Sequence, residues 1–329
     1  MSALQNGTGS SELTIAVIGC GTMGIAILSG ILASLDELNE KPSTSGTSTP
    51  LYETTTTRLP SRFIACVRRP ESAKKLRATF GAHLGSVSVV QNANVASAQE
   101  SDIVILACKP YMVQEVLSEP GMADALQGKL LISILAGVTE MQLSSTLTTA
   151  NSGSPVACRV VRAMPNTASL IRESMTVIGT STPPLDPETL GIVTWIFKRI
   201  GDVVYLPPSN MDVCTSLCGS GPAFFALMLE AAIDGAVAMG LPRAEAQRMA
   251  AQTMKGAAGL VLNGDHPALL RDKVSTPGGC TIGGLLVLEE GRVRGTVARA
   301  VREATVVASQ LGQGVQGVNG TRFPGSQLQ

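Results

Sequence analysis

The chain has 329 residues, enough for two domains that each bury a core. Its 25 Lys+Arg balance 25 Asp+Glu and aromatics are 3%, so neither a basic footprint for nucleic acid, a stacking platform for bases, nor attraction to a membrane surface is indicated. Seven scattered cysteines beside only two histidines, His83 and His266, describe reduced thiols in a cytoplasmic protein, and the Cys214/Cys218 pair has no histidine near it to make a zinc site.

Residues 1–13 are polar and lack an apolar core, so no targeting signal is expected. Residues 13–18 are a short apolar run, followed by Gly19-Cys20-Gly21-Thr22-Met23-Gly24 and then a helical pattern over 25–35. Strand, G-x-G-x-x-G, helix is the order a dinucleotide-binding turn requires. Gly19 permits the sharp turn, Gly21 lets a pyrophosphate approach the backbone, and Gly24 lets the helix lie close on the strand. Residues 36–61 interrupt the pattern with Ser/Thr/Pro-rich sequence that cannot bury enough apolar surface to order itself, so an inserted surface loop is expected.

A second strand over 62–67 leads to Arg68-Arg69-Pro70 and a helix from Glu71. An NAD site wants an acidic residue about 20 positions after the glycines. With the insert set aside, arginine stands at roughly that distance, and guanidinium pairs bidentately with phosphate. NADPH is therefore expected in preference to NADH; the alternative is a solvated basic turn. The alternation continues with strands at 87–90, 102–108, 130–135 and 159–163. Ligands on a doubly wound sheet sit beyond the carboxyl ends of the strands. Lys109, Ala136, Gly137 and Asn166 accordingly come up together on the cofactor side.

Outer strands are expected at 175–179 and 203–206 with a helix at 186–199 between them, and nearly everything beyond is helical: 222–239, 243–262 and 295–312. The expected fold is α/β, an N-terminal Rossmann-type parallel-sheet domain over 1–208 followed by an all-helical domain over 209–312 and a loose tail over 313–329. The 222–239 helix is hydrophobic nearly all round, interrupted by Glu230 and Asp234, so it is expected to be buried on all sides. A helical domain of about 100 residues rarely supplies that cover, which points to a symmetric dimer rather than a membrane span.

The helical half also contains Asp272-Lys273-Val274-Ser275-Thr276-Pro277-Gly278-Gly279-Cys280-Thr281-Ile282. A tight glycine turn opening a helix aims several backbone N–H groups one way, with the positive end of the helix dipole behind them. That suits a small anion such as a carboxylate; the alternative is an ordinary turn between two helices.

Taken together, these stretches resemble the pyrroline-5-carboxylate reductase family from about residue 14 to residue 311. The resemblance rests on Gly19-x-Gly21, Ala107-Cys108-Lys109-Pro110, Ala136-Gly137-Val138-Thr139, Arg162-Ala163-Met164-Pro165-Asn166-Thr167, Gly219-Ser220-Gly221-Pro222, Gly240-Leu241-Pro242-Arg243 and above all the 272–282 loop. It implies NAD(P)H-dependent hydride transfer to the C=N bond of 1-pyrroline-5-carboxylate, giving L-proline, by a homodimer that assembles further into rings. It implies cofactor contacts at Ile18, Gly19, Gly21, Thr22, Met23, Gly24, Arg68, Arg69, Ala107, Cys108, Lys109, Pro110, Ala136, Gly137 and Asn166. Substrate contacts fall at Ser275, Thr276, Gly278, Gly279, Cys280 and Thr281. Lys273 stands where the family often has Asn, Cys280 where some members have Ala, and Gly264 where some have Glu. A protonated imine needs no strong acid, so the Thr281 hydroxyl is the candidate catalytic group, no metal is expected, and His266 suits a helix start. Two alternatives stand beside this. One is a β-hydroxyacid dehydrogenase using Lys255 as acid/base, the other a cofactor-binding protein without turnover.

Overall fold

The structure, a computed structural model, describes residues 13–40 and 58–312 together with 315, 318, 320 and 321. Its strands are β1 (Leu13–Ile18), β2 (Pro60–Val67), β3 (Val87–Gln91), β4 (Ile103–Leu106), β5 (Leu130–Ser133), β6 (Arg159–Met164), β7 (Ser174–Gly179) and β8 (Gly201–Leu206). They form one sheet in the order β3-β2-β1-β4-β5-β6-β7-β8. The first six are parallel, β7 runs antiparallel to β6, and β8 is parallel to β7. The short connection over 165–173 cannot carry a parallel crossover, and β7 turns back as a result.

The helices of this part are α1 (Thr22–Glu40), α2 (Pro70–Thr79), α3 (Asn94–Gln99), α4 (Val113–Leu117), α5 (Met122–Ala125), α6 (Glu140–Ala150), α7 (Pro187–Lys198) and α8 (Met211–Cys214). Both faces of the sheet are covered, which is why its central strands read as unbroken apolar runs rather than alternating ones. In β4, Ile103 and Ile105 join one core with α1, α2 and α7, while Val104 and Leu106 join the other with α3 to α6.

The helical part comprises α9 (Gly221–Ala238), α10 (Arg243–Leu262), α11 (Pro267–Val274), α12 (Cys280–Glu290) and α13 (Val293–Gly312). The chain divides into two compact units, residues through Gly219 with those from Thr305 onward, and Ser220–Ala304. The division falls later than the expected boundary at 208. Met211 and Cys214 of α8 share a buried cluster with Met164 and Val177 of the sheet, and this holds the segment in the first unit.

Three further expectations are corrected or bounded. The insert is shorter than 36–61, because α1 continues to Glu40 and β2 begins at Pro60; residues 41–57 lie outside the described residues. Asp36 meets His83 at 2.8 Å and Glu37 meets Arg172 at 2.9 Å, tying the last turns of α1 to the body. The helix expected to be buried on all sides is not covered within one chain: in α9 only Gly221 and Ile233 are buried, while Leu227 is 68% exposed. By length and composition alone the helical stretch Pro208–Ala238 could cross a membrane. The expected tail over 313–329 lies mostly outside the described residues.

Candidate active site

The fingerprint turn closes on β2. Gly19 N and Cys20 N both donate to Cys66 O at 3.0 Å, and Gly21 N donates to Gly19 O at 2.7 Å. Gly19 adopts φ +78, and a Cβ there would stand 2.6 Å from both Cα and N of Cys108. The loops after β1 and β4 therefore touch at the point where strand order reverses, the place where doubly wound sheets bind ligands. Gly24 lies against Val17, where a Cβ would come within 2.9 Å of Cγ1, whereas nothing nearer than 3.8 Å faces Gly21. The turn thus has a tight base and an open mouth, with the first-turn N–H groups of α1 lacking helical acceptors. This arrangement fits a dinucleotide pyrophosphate.

Beside the turn is a cavity of about 260 Å³ lined by Gly19, Arg68, Asn92, Asn94, Glu115 and Glu119, among others. Ile18 and Cys108 also line it, so four of the sequence-predicted cofactor residues meet there. Arg69, exposed at the N-cap of α2, does not line it. Asn92, Asn94, Glu115 and Glu119 were missed by sequence reasoning; only the Asn-rich turn after β3 hinted at them. Burial pushes the Cys108 thiol up to about 11 and Cys20 to about 12, so both stay protonated. Thr22 is exposed and Met23 half-buried on the rim, with Ser169 Oγ donating to Met23 Sδ at 4.0 Å. Ala107 N donates to Ile18 O at 2.8 Å, while Lys109 and Pro110 stand exposed at the following 3-10 turn.

Two other predicted positions have structural duties. Asn166 Oδ1 accepts from Ala168 N and its Nδ2 donates to Cys218 O, both at 3.0 Å, so its side chain is largely engaged in holding the end of β6. Gly137 is buried against the end of α13, while Ala136 is exposed beside it. A Cβ on Gly312 would stand 2.7 Å from Gly137 O, and Gln142 Nε2 donates to Gly312 O at 2.8 Å. Gly312→Ala should therefore displace the 136–137 turn, costing about 1–3 kcal/mol of stability as overpacking does, and raise KM for the dinucleotide. Thermal unfolding and cofactor titration check both; an unchanged KM would detach that turn from cofactor binding.

The residues expected to hold the substrate lie in the second unit. Ser275 ends α11, its Oγ donating to Arg271 O at 2.8 Å. Gly278 takes φ +68, Gly279 N donates to Thr276 O at 3.0 Å, and Gly279 is the N-cap of α12. A Cβ on Gly279 would meet Thr276 Oγ1 at 2.5 Å. Cys280 and Thr281 open α12, and among the described residues nothing bonds to the half-buried Thr281 hydroxyl. Thr281 does not cap the helix, since Gly279 holds that position. His266 does cap α11, its Nδ1 accepting from Ala268 N at 3.3 Å. Lys273 pairs with Asp265 at 2.7 Å, and Lys255 is exposed on α10.

A doubly wound sheet with a glycine turn at its switch point, followed by a helical unit, defines a dinucleotide-dependent oxidoreductase of two-domain type. Residues 14–137 match the family model for NADP oxidoreductase, coenzyme F420-dependent, and residues 208–311 match that for pyrroline-5-carboxylate reductase dimerisation. A pyrroline-5-carboxylate reductase of Lophium arboricola is 68% identical over 95% of this chain and 98% of its own. That of Neurospora crassa is 59% identical over 95% and 97%. The solved pyrroline-5-carboxylate reductase of Coxiella burnetii superposes with a TM-score of 0.72 at 27% identity, covering 92% of this chain and 99% of that one. The chain belongs to the pyrroline-5-carboxylate reductase family.

Proposed function

We propose that this enzyme holds its substrate by the carboxylate at the start of α12, places the ring nitrogen beside Thr281, and prefers NADPH over NADH. Family membership makes it an NAD(P)H-dependent oxidoreductase that reduces the C=N bond of 1-pyrroline-5-carboxylate to proline. The observation carrying the reading is the Gly278-Gly279 turn ahead of a helix whose second residue has an uncommitted hydroxyl. First-turn N–H groups at Cys280 and Thr281 point along the positive end of α12 and suit a carboxylate. When bound, the reduced nicotinamide supplies a hydride. The chain supplies position, which is worth several kcal/mol of barrier, and a hydrogen bond from Thr281 Oγ1 to the lone pair that the ring nitrogen regains as hydride adds to the neighbouring carbon. A protonated imine is already electrophilic, so neither His266, a cap, nor Cys280 is needed as an acid.

Cofactor choice rests on Arg68 in the cavity beside the fingerprint turn. Replacing Arg68 and Arg69 by Ala should raise KM for NADPH by about tenfold and leave NADH nearly unchanged, the usual size of a lost charge-assisted contact. Equal weakening of the two would remove the 2′-phosphate role. The deciding assay is NADPH oxidation with 1-pyrroline-5-carboxylate, repeated with NADH and set beside hydroxyisobutyrate oxidation. Turnover of the hydroxy acid, lost on Lys255→Ala, would favour a β-hydroxyacid dehydrogenase instead.

The same reading includes a homodimer, joined into rings of dimers. Leu227, Met239, Leu262, Leu286 and Val287 are all more than half exposed in one chain, an apolar surface that a second copy would cover. Balanced charge and few aromatics fit a cytoplasmic enzyme without nucleic-acid or membrane partners.

A further inference from the structure

A hydrogen-bonded chain that the reaction does not account for runs from the core to the cavity beside the fingerprint turn. Cys66 near the end of β2, Asn94 opening α3 and Glu119 between α4 and α5 come from three separate segments of the chain. Cys66 Sγ donates to Asn94 Oδ1 at 3.2 Å, and Asn94 Nδ2 donates to Glu119 Oε1 at 2.5 Å. Cys66 is fully buried, and burial raises its thiol above the ordinary range, so it carries the proton this bond requires. The Asn94 carboxamide is therefore fixed in one orientation, with oxygen toward the core and nitrogen toward Glu119. One amide hydrogen and one carboxylate oxygen remain. Asn94 and Glu119 both line the cavity together with Arg68, for which no ion pair is found among the described residues.

We infer that Glu119 is a positioning and specificity residue for the adenosine half of the dinucleotide: it orients the Asn94 carboxamide, and its charge works against a 2′-phosphate that Arg68 attracts. The inference rests on assigning this cavity to the cofactor. A carboxylate beside an amide donor suits a group that both donates and accepts, such as a ribose hydroxyl or the amino edge of adenine. A 2′-phosphate brings further negative charge to a cavity that already holds Glu115 and Glu119 against one arginine, and like charges at this range oppose each other. Glu119 thus leaves NADH usable in a site whose arginine favours NADPH.

The test is steady-state kinetics of the full-length enzyme with each cofactor at saturating 1-pyrroline-5-carboxylate, and direct fluorescence titration with each cofactor in the absence of the imine. Glu119→Ala frees the Asn94 amide and should raise Kd and KM for NADH by about tenfold and for NADPH by less, because the opposing charge is lost too, with kcat little changed. Glu119→Gln keeps an acceptor for Asn94 Nδ2 but loses the charge. It should bring NADH back to within about threefold of wild type and raise the NADPH/NADH ratio of kcat/KM by about fivefold. Wild-type Kd values in Glu119→Ala would overturn the positioning role, and an unchanged ratio in Glu119→Gln would overturn the charge role. The Gln variant keeps the size and shape of the side chain, so it remains decisive if the Ala variant does not fold. Loss of cofactor discrimination in Arg68→Ala with normal Glu119 behaviour, or the reverse, separates this inference from the 2′-phosphate assignment.

Discussion

Gly19→Ala should fold yet lose at least about a hundredfold in affinity for NADPH and NADH alike, a loss of the size expected when a strained backbone position and a steric clash coincide. The residue sits at φ +78, where an L side chain is strained by about 1–2 kcal/mol. The added methyl would also stand 2.6 Å from two backbone atoms of Cys108, which cannot swing aside as a flexible side chain can. Relief requires the loops after β1 and β4 to part, and Gly19 N and Cys20 N would be pulled from their shared acceptor, Cys66 O. The damage therefore falls on the turn that would cradle the pyrophosphate, while the sheet beneath is held by its two apolar cores. Circular dichroism and fluorescence titration separate the two effects. Gly21→Ala is the informative control. With 3.8 Å of room in the protein, its methyl should leave folding intact and weaken only the cofactor. Wild-type affinity in both variants would move the pyrophosphate elsewhere.

That turn was legible in the sequence because its requirements are local: a left-handed residue, an open position and a close helix contact, in fixed order between strand and helix. Helix ends were legible for the same reason. Pro242 precedes α10 and Asn263-Gly264 follows it, and the helix spans Arg243–Leu262 as the pattern predicts. The 275–281 loop was readable as a glycine turn opening a helix, but its partition of roles was not. Only coordinates reveal that Gly279 is the cap and that Thr281 keeps its hydroxyl unengaged. Long-range pairings left no trace in the spacing. Nothing local in Asn166 announces a bond to Cys218 O, and nothing links Cys66, Asn94 and Glu119 before the fold brings three distant segments together. The apolar surround of α9 was legible as a need for cover that one chain does not meet, and α9 buries only Gly221 and Ile233.

Thr281→Ala should lower kcat/KM for 1-pyrroline-5-carboxylate by about a hundredfold, the range for losing one donor aimed at the reacting group, with the Kd for NADPH unchanged. The argument starts from what the hydroxyl does not do. It neither caps α12, since Gly279 is the N-cap, nor bonds to any described residue. A half-buried hydroxyl left without a partner at the head of a helix is available to a ligand. Cys280 N and Thr281 N open α12 beside it, so a small cyclic substrate whose carboxylate is held there, as proposed, would bring its ring atoms close to the same turn. Loss of the hydroxyl would leave carboxylate binding in place, and most of the deficit should fall on kcat rather than KM. Thr281→Ser retains the donor and should recover most of the rate, an outcome that a purely packing role for the Thr methyl would not produce. If the Ala variant turns over at the wild-type rate, the hydrogen bond to the ring nitrogen must come from elsewhere. Positioning by the Gly278-Gly279 turn would then be the whole contribution of this loop.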